Sequence, residues 1–295
     1  MHIQSSHQFE STSCLYLVAT PIGNLEDMTF RAIRILKEVD VIAAEDTRNT
    51  KKLCHYYEIE TPLVSYHAHN EEAGGVKLLH MLKEGKSVAL VSDAGMPCIS
   101  DPGDDLVRKA LAEGFAVVPV PGANAALTAL IASGINAQPF TFYGFLPRGK
   151  KERKEALEVL LARTETSIYY EAPHRLKEVL QSIQDVLGGQ RKIVVARELT
   201  KKFEEFIRGT VEEAIEWASS KEVRGEFCLV IEGTSEQVVE QNKSAEWWEE
   251  LDVKRHVEAL MLQQDLSSKQ AIKEVAVARQ MNKRDVYAAY HLEEE

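Results

Sequence analysis

Four short segments in the first half of the chain combine small residues with a carboxylate or an amide: Thr20-Pro21-Ile22-Gly23-Asn24, Glu45-Asp46-Thr47-Arg48, Ser92-Asp93-Ala94-Gly95 and Pro121-Gly122-Ala123-Asn124. Each follows a short apolar, β-branched run, the position at which open α/β sheets bind their ligands. Any one of them reads as an ordinary turn, but four at successive strand ends predict a shared cleft. Asp93 can accept from ribose hydroxyls or an ammonium, and it can do so while closing an Asx turn or capping a helix. Gly95, Gly122 and Ala123 allow backbone amides to approach a ligand closely. Such loops suit a compact ligand that carries a ribose, an adenine and an amino-acid zwitterion.

Groups able to move a proton or hold an anion lie elsewhere along the chain. Asp46, Glu45, His69, Glu71, Glu171, His174 and Glu198 are candidate bases, while Arg48, Arg175, Arg197 and Lys201 could hold phosphate or offset developing charge. The run Arg148-Gly149-Lys150-Lys151-Glu152-Arg153-Lys154 carries five basic residues and one acidic one, which suits a nucleic-acid backbone as well as it suits a solvated helix start. Other chemistries drop out. No GxGxxG follows the first strand, which argues against a dinucleotide site. Gly144 to Lys150 approaches a phosphate loop but has Lys151 where a magnesium-binding Ser or Thr should stand, and Gly85-Lys86-Ser87 has His80 in place of the first glycine. Cys14, Cys54, Cys98 and Cys228 are scattered, so a zinc site is not expected and reduced thiols are.

The elements that position these residues are legible from periodicity. CLYLVA, VDVIAAE, SVALVS, FAVVPV and FTFYG read as strands of the first half, and TSIYYE, KIVVAREL, EEFIRG and EFCLVIEG as strands of the second. Helical spacing over Arg31 to Val39, Asp104 to Glu113 and His174 to Leu187 alternates with them, which predicts an α/β fold with largely parallel sheets. Apolar periodicity is lost over Gly144 to Lys154, so the expected boundaries are an extension at 1–13, an N-terminal α/β domain at 14–146, a second α/β domain at 147–233, a polar linker at 234–244 and a helical module at 245–295. In that module Ser267 or Ser268 should cap a helix whose apolar face is Ala271, Ile272, Val275 and Ala276, followed by a turn near Met281 and by Val286 and Tyr287, a helix-turn-helix pattern. Lys269 to Arg284 holds five basic residues and one acidic one, whereas Glu246 to Asp252 and Glu293 to Glu295 are acidic, so packing module and RNA-docking arm both remain open.

The first thirteen residues lack a charged n-region and an apolar stretch, and no apolar run is long enough to span a membrane, so a cytoplasmic protein is expected. A net charge of −11 repels nucleic acid at long range, and any binding of RNA must come from local basic patches or a pre-assembled target.

Taken together, LVATPIGNLEDMTFRAIRIL, EDTRNT, SDAGMPCISDPG, PVPGANA, FYGFLPR, YYEAPHR, ARELTKKFEE and GEFCLVIEG resemble the successive blocks of the tetrapyrrole-methylase superfamily over residues 14 to 233. More narrowly they resemble its branch that methylates ribose 2'-hydroxyls in bacterial small-subunit ribosomal RNA. The resemblance implies two α/β domains, S-adenosylmethionine bound in the cleft between them, and a homodimer. It implies a cofactor site lined by Pro21, Ile22, Gly23, Asp93, Ala94, Gly95, Ile99, Asp101, Pro121, Gly122, Ala123 and Tyr170, and an acceptor cytidine in the decoding region of 16S ribosomal RNA, presented by the assembled small subunit. Tetrapyrrole members carry a glycine-and-aspartate loop where this chain has SDAGMPCISDPG, which points to a different acceptor; a tetrapyrrole or protein side chain is the alternative. Methyl transfer from a sulfonium is an in-line displacement that needs alignment and no metal, with orientation worth about 7–11 kcal/mol. A ribose hydroxyl needs a nearby base, for which Glu171 and Asp46 are the first choices. Arg48, Arg148, Lys150, Lys151, Arg153, Lys154, Arg175 and Lys201 are the expected RNA contacts.

Overall fold

The computed structural model describes residues 3–4, 13–235, 248, 251–264, 266–279 and 281–291. Most of the expected extension at 1–13, most of the expected linker, much of the acidic stretch from Glu246 and the closing Glu293 to Glu295 lie outside the described residues.

Strands β1 (Cys14–Val18), β2 (Val41–Ala44), β3 (Leu63–Ser65), β4 (Val88–Val91) and β5 (Ala116–Val120) form one sheet in the order β3-β2-β4-β1-β5, with every pairing parallel. Strands β2 and β4 are buried along their whole length, as unbroken VIAA and VALV runs require when both faces of a parallel sheet are covered. Helix α1 (Phe30–Glu38) turns Ala32, Ile35 and Leu36 onto one face, and its Thr29 cap accepts from the Ala32 N–H at 3.1 Å. Helices α2 (Thr47–Tyr56), α3 (Glu71–Lys83) and α4 (Asp104–Ala112) make the remaining crossovers. Strand β3, only three residues long, was not expected, because its Leu-Val-Ser is too short to show a period.

The chain leaves this sheet sooner than periodicity suggests. Helix α5 (Ala125–Ser133) sets Ala126, Ala129 and Leu130 against Ile168, Val194 and Val230 of the second sheet, and β6 (Phe140–Phe145) pairs with β7 (Thr166–Glu171). The change of sheet therefore falls at Pro121 to Asn124 rather than within Gly144 to Lys154, and FTFYG belongs to the second half. Helix α6 (Lys150–Glu158), α7 (Leu176–Leu187), β8 (Lys192–Arg197), β9 (Glu205–Thr210), α8 (Val211–Ser219) and β10 (Phe227–Ile231) complete this layer in the strand order β6-β7-β10-β8-β9. Three of its four pairings are antiparallel, so the expectation of a largely parallel sheet holds only for the first half. Leu157, Leu180, Ile193 and Leu229 cover one face of it, and each such buried side chain contributes about 1.5–3 kcal/mol.

Residues up to Gly233 form one compact unit and those from Thr234 another. Within the second unit, α9 (Val253–Gln264), α10 (Ser268–Ala278) and α11 (Lys283–His291) pack around Val257, Leu260, Ile272, Val275 and Val286. The expected Ser267 cap is present as a capping box with Gln270. Arg279 donates to His256 Nδ1 at 3.1 Å and to the Trp248 carbonyl at 2.8 Å, so it ties this unit together instead of facing solvent. No helix among the described residues is long and apolar enough to cross a membrane.

Candidate active site

The carboxyl ends of the first sheet face a cavity of about 500 Å³ whose other wall is the second sheet. Ile22, Ala94, Gly95, Ile99 and Asp101 come from the first side, and Tyr170, Glu171 and Lys201 from the second. The loops after β1 and β4 are tied by a pair of backbone hydrogen bonds, Thr20 N–H to the Gly95 carbonyl at 2.9 Å and Gly95 N–H to the Thr20 carbonyl at 3.0 Å. Gly95 has φ +83°, and a Cβ there would lie 3.3 Å from Ile22 Cγ2 and 3.5 Å from the Ala123 carbonyl oxygen. Cys98 and Ser100 in the same loop, and Glu198 and Thr200 on the facing loop, also have positive φ without being glycine. Backbone strain of this kind concentrates where surrounding structure holds a ligand site in shape.

The sequence-derived residues do not all reach the cavity. Pro21, Gly23 and Asp93 face a second groove on the other flank of the same loops. A Cβ on Gly23 would stand 2.4 Å from Lys201 Cγ, so the loop after β1 owes that glycine to its contact with the second layer, not to ligand approach. Asp93 accepts from the Asp46 N–H and from Asn49 Nδ2, each at 3.1 Å, which joins two loops of the first sheet. Gly122 packs against Ala19 with no room for a side chain, Ala123 backs Gly95, and their neighbours Asn124 and Ala125 line the cavity.

Charge in the cavity is distinctive. Burial first, and then the neighbouring charges of Glu45 and Asp93, push the Asp101 carboxyl up to about 6. Glu45 is raised for the same two reasons, burial first and Asp93 second. Carboxylates that oppose one another's ionisation in a partly buried site favour a cation between them.

Glu171 ends β7 with 2% of its surface exposed. Its Oε1 accepts from the Ala172 N–H at 2.8 Å and lies 3.4 Å from Arg175 Nε, whereas Oε2 has no hydrogen-bond partner. Burial raises its pKa. Asp46 is different. It caps α2, and its carboxylate is bonded by the Arg48 side chain at 2.8 and 3.0 Å and by the Arg48 N–H, which hold it down at about 2. A carboxylate held that low is a weak proton acceptor at neutral pH, whereas the raised carboxyl of Glu171 keeps an oxygen without a hydrogen-bond partner.

The expected RNA contacts divide as well. Arg48, Arg148, Lys150, Lys151 and Lys154 are exposed. Arg153 is 1% exposed; it pairs with Glu178 and donates to Ser182 Oγ at 3.0 Å and to the Arg148 carbonyl at 3.1 Å. Arg175 donates to the Leu146 carbonyl at 2.8 Å, and Lys201 is held between Glu198 at 2.9 Å and Glu226 at 2.8 Å. These three cations are engaged by the protein's own groups: Arg153 because the basic run is a helix start with one side turned inward, Arg175 and Lys201 through the loops after β7 and β8.

Sequence reasoning missed Met96, Leu199, Glu226, Phe227 and Cys228 on the cavity wall. Glu226 immediately precedes β10 and Phe227 and Cys228 open it; the antiparallel register sets Phe227 beside both Glu171 and Arg197 at the carboxyl ends of its neighbours.

The same fold occurs in uroporphyrin-III C-methyl transferase from Thermus thermophilus, solved in complex with S-adenyl homocysteine, at a TM-score of 0.53 and 20% identity over 78% of this chain and 100% of that one. Residues 14–215 match the model of the tetrapyrrole (corrin/porphyrin) methylases. The chain is 62% identical over 280 residues to ribosomal RNA small subunit methyltransferase I of Bacillus subtilis strain 168, spanning 95% of this chain and 94% of the relative. Its identity to the protein of the same name from Halalkalibacterium halodurans is 55% over 290 residues, spanning 98% and 99%. The chain belongs to the tetrapyrrole methylase family and, within it, to the ribosomal RNA small subunit methyltransferase I group; it is a methyltransferase.

Proposed function

We propose that this methyltransferase draws on S-adenosylmethionine to methylate the ribose 2'-hydroxyl of a cytidine in the decoding region of 16S ribosomal RNA, acting as a homodimer on the assembled small subunit in the cytoplasm. The high identity to relatives named for small-subunit ribosomal RNA supports the substrate class. The observation that carries the chemistry is the unpartnered, buried Glu171 Oε2 in a cavity that also holds Asp101.

The residues fit the cofactor. Its positive charge matches the raised carboxyl of Asp101, which Glu45 backs from outside the cavity lining, and its adenosine matches a wall built from Ile22, Ile99, Tyr170 and Phe145. Bound there, S-adenosylmethionine supplies a methyl group on a positively charged sulfur. Glu171 takes the proton of the acceptor hydroxyl at Oε2, because Oε1 is already engaged by the Ala172 N–H and Arg175. Arg175, anchored on the Leu146 carbonyl, fixes the orientation of that carboxylate. Tyr170 accepts from the Ala126 N–H at 3.2 Å and so locks the start of α5 against the cavity wall. Exposed Leu127 and Ile131 on α5, with Phe140 and Tyr143 on the edge strand β6, support a self-associating face.

The test is methylation of purified small subunits from a strain that lacks the gene, followed by mapping of the modified nucleotide. The expected result is a single new 2'-O-methylcytidine in the decoding region. Subunits from that strain that accept no methyl group, or that accept it on a base or a protein, overturn the reading.

A further inference from the structure

Helix α2 carries an unusual concentration of positive charge for a chain of net charge −11. Its ten residues hold Arg48, Lys51, Lys52 and His55 and no carboxylate. Thr50 and Cys54 make its buried side, and Arg48, Lys51, Lys52, His55 and Tyr56 are all exposed, Tyr56 at 60%. Arg48 is engaged by Asp46, but among the described residues neither Lys51 nor Lys52 is in an ion pair. The Tyr56 ring is braced edge-on by Tyr57 at 4.9 Å, and the Tyr57 hydroxyl in turn donates to the Leu25 carbonyl. A basic surface with a braced, open aromatic ring has the chemistry that recognises single-stranded RNA, with cations on the backbone and the ring on a base.

Position strengthens the case. A groove of about 390 Å³ runs beside the helix, walled by Asn49, Lys52 and Tyr56 on one side and by Pro21, Gly23 and Asp93 on the other. Other residues of the same two loops, Ile22, Ala94 and Gly95, wall the cavity assigned to the methyl donor. Asp93 fastens the first turn of α2 to this partition through the Asp46 N–H and Asn49. A strand lying on α2 is therefore one loop's thickness from the cavity.

We propose that the exposed face of α2 and its groove seat the single-stranded RNA next to the acceptor nucleotide, with Lys51 and Lys52 on phosphates and Tyr56 stacked on a base. The inference rests on the reading of the substrate as RNA. The test compares wild type with the Lys51→Gln/Lys52→Gln double variant, Tyr56→Ala and Tyr56→Phe, using small subunits that lack the modification. Binding is measured across a salt series, S-adenosylmethionine affinity by calorimetry, and the contact by ultraviolet crosslinking.

The double variant should lower the log-log salt slope by about 1.4, at about 0.7 per lost single-strand phosphate contact. Tyr56→Ala should weaken binding by roughly 5- to 100-fold, the range given by loss of one stacked base. Tyr56→Phe should restore it, cofactor affinity should stay within about twofold in every variant, and the wild-type crosslink should map to RNA at α2. An unchanged slope in the double variant, unchanged binding in Tyr56→Ala, parallel loss of cofactor affinity, or a crosslink from α2 to a ribosomal protein would each overturn the proposal. Failure of the wild type itself to methylate small subunits would instead strike the substrate reading, so the two failures are distinct.

Discussion

The first sheet is parallel throughout, so all of its strands bring their carboxyl ends to one edge, whereas the second is mostly antiparallel and brings strand starts and strand ends to the corresponding edge. The consequence is a division of labour across the cavity. Loops of the first sheet offer backbone held in tight turns, around Thr20 and Gly95, together with mutually opposed carboxylates. The second sheet offers one buried glutamate and aromatic side chains that need long-range pairing to come together. On this comparison the first side should decide whether the donor binds, and the second how fast the methyl group moves.

The largest effect should come from the second side. Glu171→Gln keeps the shape and the Ala172 contact but removes the proton acceptor, so single-turnover methylation should fall by roughly 10²- to 10⁴-fold while cofactor affinity changes little. The comparison breaks if the rate is unaffected, or if affinity falls in step with it. Gly95→Val tests the first side. A β-branched residue at φ +83° beside Ile22 should weaken S-adenosylmethionine binding by on the order of 100-fold in calorimetry, with a folded protein by circular dichroism. Retained affinity would show that the loop is only a structural turn.

Arg153→Gln separates interior from surface in the basic run. Loss of a buried guanidinium bonded to Ser182, Glu178 and the Arg148 carbonyl should cost about 2–3 kcal/mol, a fall of roughly 5–10 °C in Tm. The Lys150→Gln/Lys151→Gln/Lys154→Gln variant should melt like wild type but bind small subunits with a smaller salt slope. The reverse pattern would return Arg153 to the RNA surface.

The smallest effect is a pH dependence. With Asp101 raised to about 6, its ionised form, which favours a cation, is lost as pH drops through that value. Affinity for S-adenosylmethionine should then fall by at most about tenfold per pH unit below 6, and Asp101→Asn should flatten the profile. The folding linkage has the opposite sign. The folded state holds this proton more tightly than the unfolded chain, so Asp101 contributes stability at low pH that is lost as pH rises toward 6. Asp101→Asn should therefore melt higher than wild type at pH 7, and a lower Tm would contradict the burial argument.

The positions of β1, β2, β4 and β5, the small-residue loops at their ends and the Ser267 cap could be read from sequence because each depends on neighbours a few residues apart. Ile99, Asp101 and Tyr170 were implied by the family resemblance, while local pattern singled out Glu171 and the loops that hold Ile22, Ala94 and Gly95; all seven residues line the cavity. Local pattern could not tell a loop residue facing the cavity from one facing the groove behind it, because Asp93 and Ala94 are adjacent in sequence and face opposite ways. Nor could it see that Arg153 points inward, since its partners Glu178 and Ser182 lie a helix away. Composition and periodicity determined the α/β class, the separate helical module and the presence of strand-end loops fit for a ligand. Only tertiary structure decided that β10 runs against its neighbours, which brings Glu226, Phe227 and Cys228 to the cavity, and that Glu171 rather than Asp46 keeps an unpaired oxygen. The physical reason is that antiparallel register and hydrogen-bond saturation are properties of pairs of distant segments, and a pattern confined to one segment carries no record of its partner.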